Sequence, residues 1–367
     1  MADRDPFNPD WATSPAESIR RALIRRGWSP EDLAEAMEVS VQQASELLQG
    51  IAAIDKPIAA KLAAALNTSE GFWLERQRQY QTDQKRISEA ADGAAWLREL
   101  PLRDMIKFGW LKPGVGESQK VTAALAFFGV SSIADWKSKY RRDLATAAFR
   151  TSLTFTSNPV ATASWLRWAK LQAQQIATQP FDAATFKTAL VKLRALTRRK
   201  DPEQFVPELR RICAACGVAL IIARAPEGCR ASGATRFLTP TKAMIVMSFR
   251  YRSDDHFWFT FFHEAAHLLL HGKKALFLED GSEVTSEEEN EANDLASAIL
   301  LPPAAKAELE RLPLSAKAIM RFALQTGVSA GVVVGQLQHS GRLAHNRLNS
   351  LKRRWAWSGA AAALPTK

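Results

Sequence analysis

The spacing of apolar and polar positions divides the chain before any single residue is singled out. From Glu17 to Gly50 apolar residues recur every three or four positions, the period of amphipathic helices. Gly27 ends a first helix. Ser29 caps a second, with Pro30 at its first position, Asp32 in its first turn, and Leu33, Ala34 and Met37 turned inward. After the turn "EVS", Ser40 caps a third helix over 41–48, which Gly50 ends. Two short helices across such a turn make a helix-turn-helix. Small Ala34 and Ala44 beside Val39 and Leu47 suit the tight packing it requires. The helical period continues through a stretch rich in tryptophan (Trp96, Trp110, Trp136, Trp165, Trp168), the pattern of core and interdomain packing. Near Gly217 the period changes. "GVALIIA", "GATRFL" and "KAMIVMSF" read as three short strands, after which "FTFFHEAAHLLLHG" returns to helix, from near Asp254 or Asp255 to Gly272. The expected fold is mainly α with an α+β part. It comprises a helical bundle at 15–82, a helical connector at 83–200, a mixed domain at 201–303 and a helical extension at 304–358.

Charge alters this picture in one place. The formal net charge is +11, but residues 1–90 carry 11 Lys and Arg against 14 Asp and Glu, whereas residues 91–200 carry 18 against 7. The basic excess therefore belongs to the connector, including "KSKYRR" (137–142), and not to the helix-turn-helix. The N-terminus lacks a basic start and an apolar core, and no run approaches the roughly 20 apolar residues of a spanning helix. The expectation is a cytoplasmic protein with no membrane partner. Three cysteines make no complete disulfide framework, and the Cys213–Cys216 CxxC lacks the second pair of a structural zinc site.

The chemistry lies in the histidine helix. His263, His267 and His271 are four residues apart, so they stack on one helical face, and Glu264 follows the first directly. His263 and His267 can grip one Zn2+ ion, which favours imidazole nitrogen in a tetrahedral site. Glu264 is then the candidate catalytic base, taking a proton from water activated by the ion. A third imidazole on the same straight helix, His271, lies about 6 Å farther along the axis and suits a helix-end or supporting role better than ligation. A catalytic zinc needs one more protein ligand, and the acidic head of "SEEENEANDLASAILLPP" (286–303) can offer a carboxylate from a crossing helix.

Two resemblances follow from these motifs. Residues from about 15 to 80, ending in "FWLERQRQY", resemble the HigA-like branch of the XRE family of DNA-binding helix-turn-helix proteins. HExxH followed by "EANDLASAILLP" resembles the ImmA/IrrE family of zincin metallopeptidases. The first resemblance implies that the third helix enters the major groove of double-stranded DNA, with Gln42, Gln43 and Ser45 as base-edge candidates. The second implies a zinc endopeptidase whose third metal ligand is Glu291, with Glu287 the competitor one turn earlier and Asn293 in support. Together they imply a DNA-binding transcriptional regulator, acting as a homodimer or alone, that performs limited proteolysis of an XRE-type repressor or of itself. The alternative is an antitoxin-like regulator that binds DNA or a partner and whose zincin domain senses or scaffolds without cleaving. His339 and His256 are further candidates for an oxyanion donor.

Overall fold

The computed structural model describes residues 9–113, 116–140, 158–272, 286–357 and 365–366. It divides into two compact units after Trp96.

The first unit begins with α1 (Pro15–Arg26), α2 (Pro30–Ala36), α3 (Val41–Gln49) and α4 (Lys56–Leu66), and continues into α5 (Glu70–Glu99). Local chemistry sets the starts of α2 and α3. Ser29 with Asp32, and Ser40 with Gln43, form reciprocal capping boxes that satisfy first-turn backbone donors. Ile19, Leu33, Ala34, Ala44, Leu47, Leu62 and Trp73 make the core. The fully buried Ala44 lets α2 and α3 approach closely, as the helix-turn-helix pattern requires.

The second unit opens with α6 (Leu102–Lys107), α7 (Glu117–Phe128) and α8 (Pro159–Gln175). The connector tryptophans pack inward: Trp110 stacks on Trp168 at 5.4 Å, and Trp136 stands edge-on to Phe128 at 5.7 Å. Of the basic cluster, Lys139 donates to the Gly129 carbonyl at 3.3 Å. Arg141 and Arg142 lie outside the described residues. Next come α9 (Ala183–Leu193), a 3-10 turn (Arg194–Arg198) and α10 (Pro202–Ala215).

The predicted strands form as β1 (Val218–Ile222), β2 (Gly233–Thr239) and β3 (Lys242–Met247), in the order β1-β3-β2. β3 is parallel to β1 and antiparallel to β2. Period-two alternation gives the sheet two buried faces. Val218, Leu220, Ile222, Ala243, Ile245 and Met247 join the main core with α10 and α11 (Asp254–Leu270), and the intervening residues face α8. On that second face the Trp165 indole donates to the Ala223 carbonyl at 3.0 Å. α11 buries Phe257, Trp258, Phe261 and Phe262 against the sheet and α10. Each such side chain contributes roughly 1.5–3 kcal/mol of burial free energy. Beyond it lie α12 (Ser286–Leu300), α13 (Pro303–Leu309), α14 (Ala316–Thr326), α15 (Ala330–His339) and a small pair, β4 (Ala356–Trp357) with β5 (Pro365–Thr366).

The carboxylates expected to decorate the start of α11 are buried and tie down the C-terminal part of the chain. Asp254 accepts from Ser329 Oγ at 2.8 Å and from the Arg353 backbone N–H at 3.0 Å. Asp255 pairs with Lys352 at 2.7 Å. Arg353 donates on to the carbonyls of Thr197 and Arg199, both at 2.9 Å. α15 reaches this site because Gly331 faces Asp254: a Cβ there would stand 2.1 Å from Asp254 Oδ1. The histidine helix is thus anchored at its N-terminus by a buried polar network. No single helix among the described residues is long and apolar enough to cross a membrane.

Candidate metal centre

On α11, the Nε2 atoms of His263 and His267 face one another at 3.0 Å. Their Nδ1 atoms are engaged elsewhere. His263 Nδ1 lies 2.9 Å from Asn293 Oδ1, an acceptor, so this nitrogen carries the proton and Nε2 is left with its lone pair. His267 Nδ1 lies 3.0 Å from His271 Nδ1, and His271 Nε2 lies 3.0 Å from Glu291 Oε2. With the rings neutral, one assignment satisfies that chain: His267 donates to His271, which donates to Glu291. It likewise leaves the His267 Nε2 lone pair free. Two lone pairs aimed at one point repel each other unless a cation lies between them.

A carboxylate completes the point. Glu289, on α12, places Oε2 3.2 Å from His263 Nε2 and Oε1 3.6 Å from His267 Nε2. One ligand atom from each of His263, His267 and Glu289 falls within 4.8 Å of the others. The donor set of two imidazoles and one carboxylate fits a catalytic zinc site, which uses three protein ligands and keeps a position open. The 3.0 Å nitrogen separation is close to the roughly 3.3 Å that bonds of 2.0–2.1 Å to one tetrahedral ion require. Burial opposes a charge on His263, but Glu289, Glu264 and Asn293 outweigh it and hold the ring's pKa above its ordinary value. The environment thus favours positive charge at this point.

The motif resemblance put the third ligand on Glu291, and the structure does not bring Glu291 to the two histidines. Two residues on a helix are about 200° apart. The face of α12 that packs on α11 carries Ala292, Ala296 and Leu300, all fully buried. Glu289 and Asn293, four residues apart, flank that face and reach His263, while Glu291 turns aside to His271. No described contact joins Glu287 to the histidines. His271 takes the supporting place expected of it, at the C-cap of α11.

Glu264 is buried beside the start of β2. Gly233 makes room for it: a Cβ there would stand 2.9 Å from both Cγ and Oε1 of Glu264. The pattern of residues gave no notice of Gly233, because a strand-end glycine reads as a turn. His339 is exposed and approaches the site through Phe259, whose ring lies 6.0 Å from His339 and 6.1 Å from His263. His256 instead stacks on Tyr251 at 4.3 Å. Cys213 and Cys216 are buried, and burial raises both thiol pKa values, so neither is a ready ligand.

In the first unit, the three base-edge candidates lie on α3 and each has a local partner. Gln42 donates to Glu46 at 3.0 Å, Gln43 accepts from the Ser40 N–H at 3.3 Å, and Ser45 accepts from Gln49 at 3.0 Å. Gln42 keeps its amide oxygen available, and Gln43 its amide nitrogen. Arg20 and Arg26, which could serve phosphates, are spent on the carbonyls of Leu48, Ala65 and Leu66.

Fold and site together define a mainly helical protein with a helix-turn-helix unit and a metallopeptidase-like α+β unit. Comparison with known families agrees: residues 19–73 match the helix-turn-helix family, and residues 230–337 match the peptidase family described as the IrrE N-terminal-like domain. No curated protein and no solved structure matches the chain. The chain therefore carries an XRE-type helix-turn-helix domain and an ImmA/IrrE-like metallopeptidase domain.

Proposed function

We propose that this chain is a DNA-binding regulator whose second unit is a zinc-dependent endopeptidase, with His263, His267 and Glu289 as metal ligands and Glu264 as the catalytic base. The observation that carries the reading is the convergence of two imidazole nitrogens and one carboxylate on a single point. A zinc ion held by these three residues would supply Lewis acidity there, for acidifying water and polarising a peptide carbonyl. Glu264 follows His263 directly on the helix, so its carboxylate is suited to accept the proton of the attacking water and return it to the leaving amine. Asn293 holds the His263 ring through Nδ1, and the His271–Glu291 pair does the same for His267, fixing both tautomers. Peptide is the fitting substrate because β2 is an edge strand among the described residues and lies beside Glu264, and its outer backbone edge can pair with an extended chain.

The helix-turn-helix supports DNA as a partner, with Gln42, Gln43 and Ser45 as the reading residues. The joining of reader and peptidase in one chain supports limited proteolysis of an XRE-type repressor, or of a second copy of this chain in a homodimer. Zinc content and cleavage, measured together on purified variants, test the site. Glu264→Gln is expected to keep the ion and lose cleavage, and Glu289→Ala to lose both. Retention of stoichiometric zinc by Glu289→Ala would move the third ligand elsewhere.

A further inference from the structure

A groove of about 540 Å³ opens between α8 and α10 at the outer edge of β1 in the described sheet. Trp168, Gln172 and Gln175 lie on one face of α8, and Arg210 faces them from α10, with Ile221 and Ile222 as the floor. These elements all precede residue 230, so the groove is built outside the matched peptidase domain.

Arg210 is the unusual member. Its guanidinium is partly buried, and its Nε is fully enclosed with no hydrogen-bond partner. Burial lowers its pKa. The nearby carboxylate Glu208 is shared by Arg199 at 3.6 Å and Arg211 at 3.7 Å, and no described acid pairs with Arg210. An unpaired, partly buried cation opposes folding. Most arginines escape this by extending to solvent, whereas Arg210 lines a groove together with Trp168, Gln172 and Gln175.

We propose that this groove binds a small ligand bearing a carboxylate or phosphate, held by the Arg210 guanidinium. The planar fork matches either group with two parallel hydrogen bonds. Gln172 and Gln175 add amide groups, and Trp168, Ile221 and Ile222 give apolar walls for the body of the ligand. The volume is in the range of small-molecule sites. The inference stands on Arg210 and does not depend on the peptidase reading.

Calorimetric titration of the full chain with inorganic phosphate and with benzoate tests it and separates the two anion classes. At least one probe is expected to bind saturably at one per chain. Arg210→Gln should weaken that binding at least tenfold, and Arg210→Lys should restore part of it. Gln172→Ala, which keeps the cation, should weaken it by a smaller factor. The thermal midpoint of unliganded Arg210→Gln should equal or exceed that of wild type, because an unpaired buried charge is removed. The proposal is overturned if neither probe binds saturably, or if both bind Arg210→Gln as they bind wild type, which would put the anion at the metal centre or elsewhere. A lowered midpoint in Arg210→Gln with unchanged binding would make Arg210 a structural residue and also overturn it.

Discussion

Each histidine of the centre is oriented by what its far nitrogen touches, so the residues behind the site should affect the metal less than the residues in it. Glu291→Ala and His271→Ala are expected to weaken zinc affinity by about 10–100-fold without abolishing it, the usual consequence of losing a support behind a ligand. Chelator competition on folded variants reads this directly, and Glu289→Ala should fall well below both. Gly233→Ala tests the base separately. An added methyl group would press on Glu264, so turnover should fall while zinc content stays at wild-type level. Loss of zinc in that variant would point to damage of the whole site. His263, Glu264 and His267 were legible in the sequence because their spacing alone puts them together. The carboxylate nearest to them was not, because four glutamates crowd the head of α12 and a motif aligns letters, not faces. The buried positions Ala292, Ala296 and Leu300 carried the missing signal: the helical face they mark runs back to Glu289 and leaves Glu291 on the other side.

Among elements, α11 depends on the segments that clasp its first turn. Burial pushes the Asp254 carboxyl up to about 6, against the lowering effect of the Ser329 hydroxyl, while Asp255 raises it further and Arg353 opposes. A folded-state pKa above the unfolded value means stability that is fully present below about pH 4 and lost as the pH rises through about 6. The loss attributable to Asp254 is on the order of 3 kcal/mol. Asp254→Asn, which keeps the shape of the group, should therefore gain stability relative to wild type between pH 4.5 and pH 7.5, as read by denaturant unfolding at both. A constant difference across that range would contradict the ionisation. Gly331→Ala in α15 should destabilise by roughly 1–3 kcal/mol through overpacking against Asp254.

The strands, the histidine helix and the two short helices of the reader were legible from period and caps. The buried role of Asp254 and Asp255 was not, since acids at a helix start look like ordinary first-turn charges. Their partners Ser329, Lys352 and Arg353 are at least 75 positions away in the chain. For α3, Gln42→Ala should reduce discrimination between operator and random duplex by about 1–3 kcal/mol at fixed salt if Gln42 reads a base. Gln43→Ala should do the same with some loss of helix stability, because Gln43 also closes the capping box. Unchanged specificity in both would favour a protein-binding role for this helix.

At the scale of the molecule, the reader unit contributes little phosphate-binding charge, and the basic excess lies in the connector. The comparisons support both units of the chain, a helix-turn-helix and a metallopeptidase-like domain, while the chemistry that joins them remains the proposal. Its most direct test is incubation of the zinc-loaded chain with purified XRE-type repressors, followed by intact-mass spectrometry, with Glu264→Gln as the paired control. The account predicts a discrete cut in a repressor, or in the chain itself, with wild type, and none with a Glu264→Gln protein that still holds its zinc. The same fragments from both proteins, or no cut from either across the repressors tested, would contradict it.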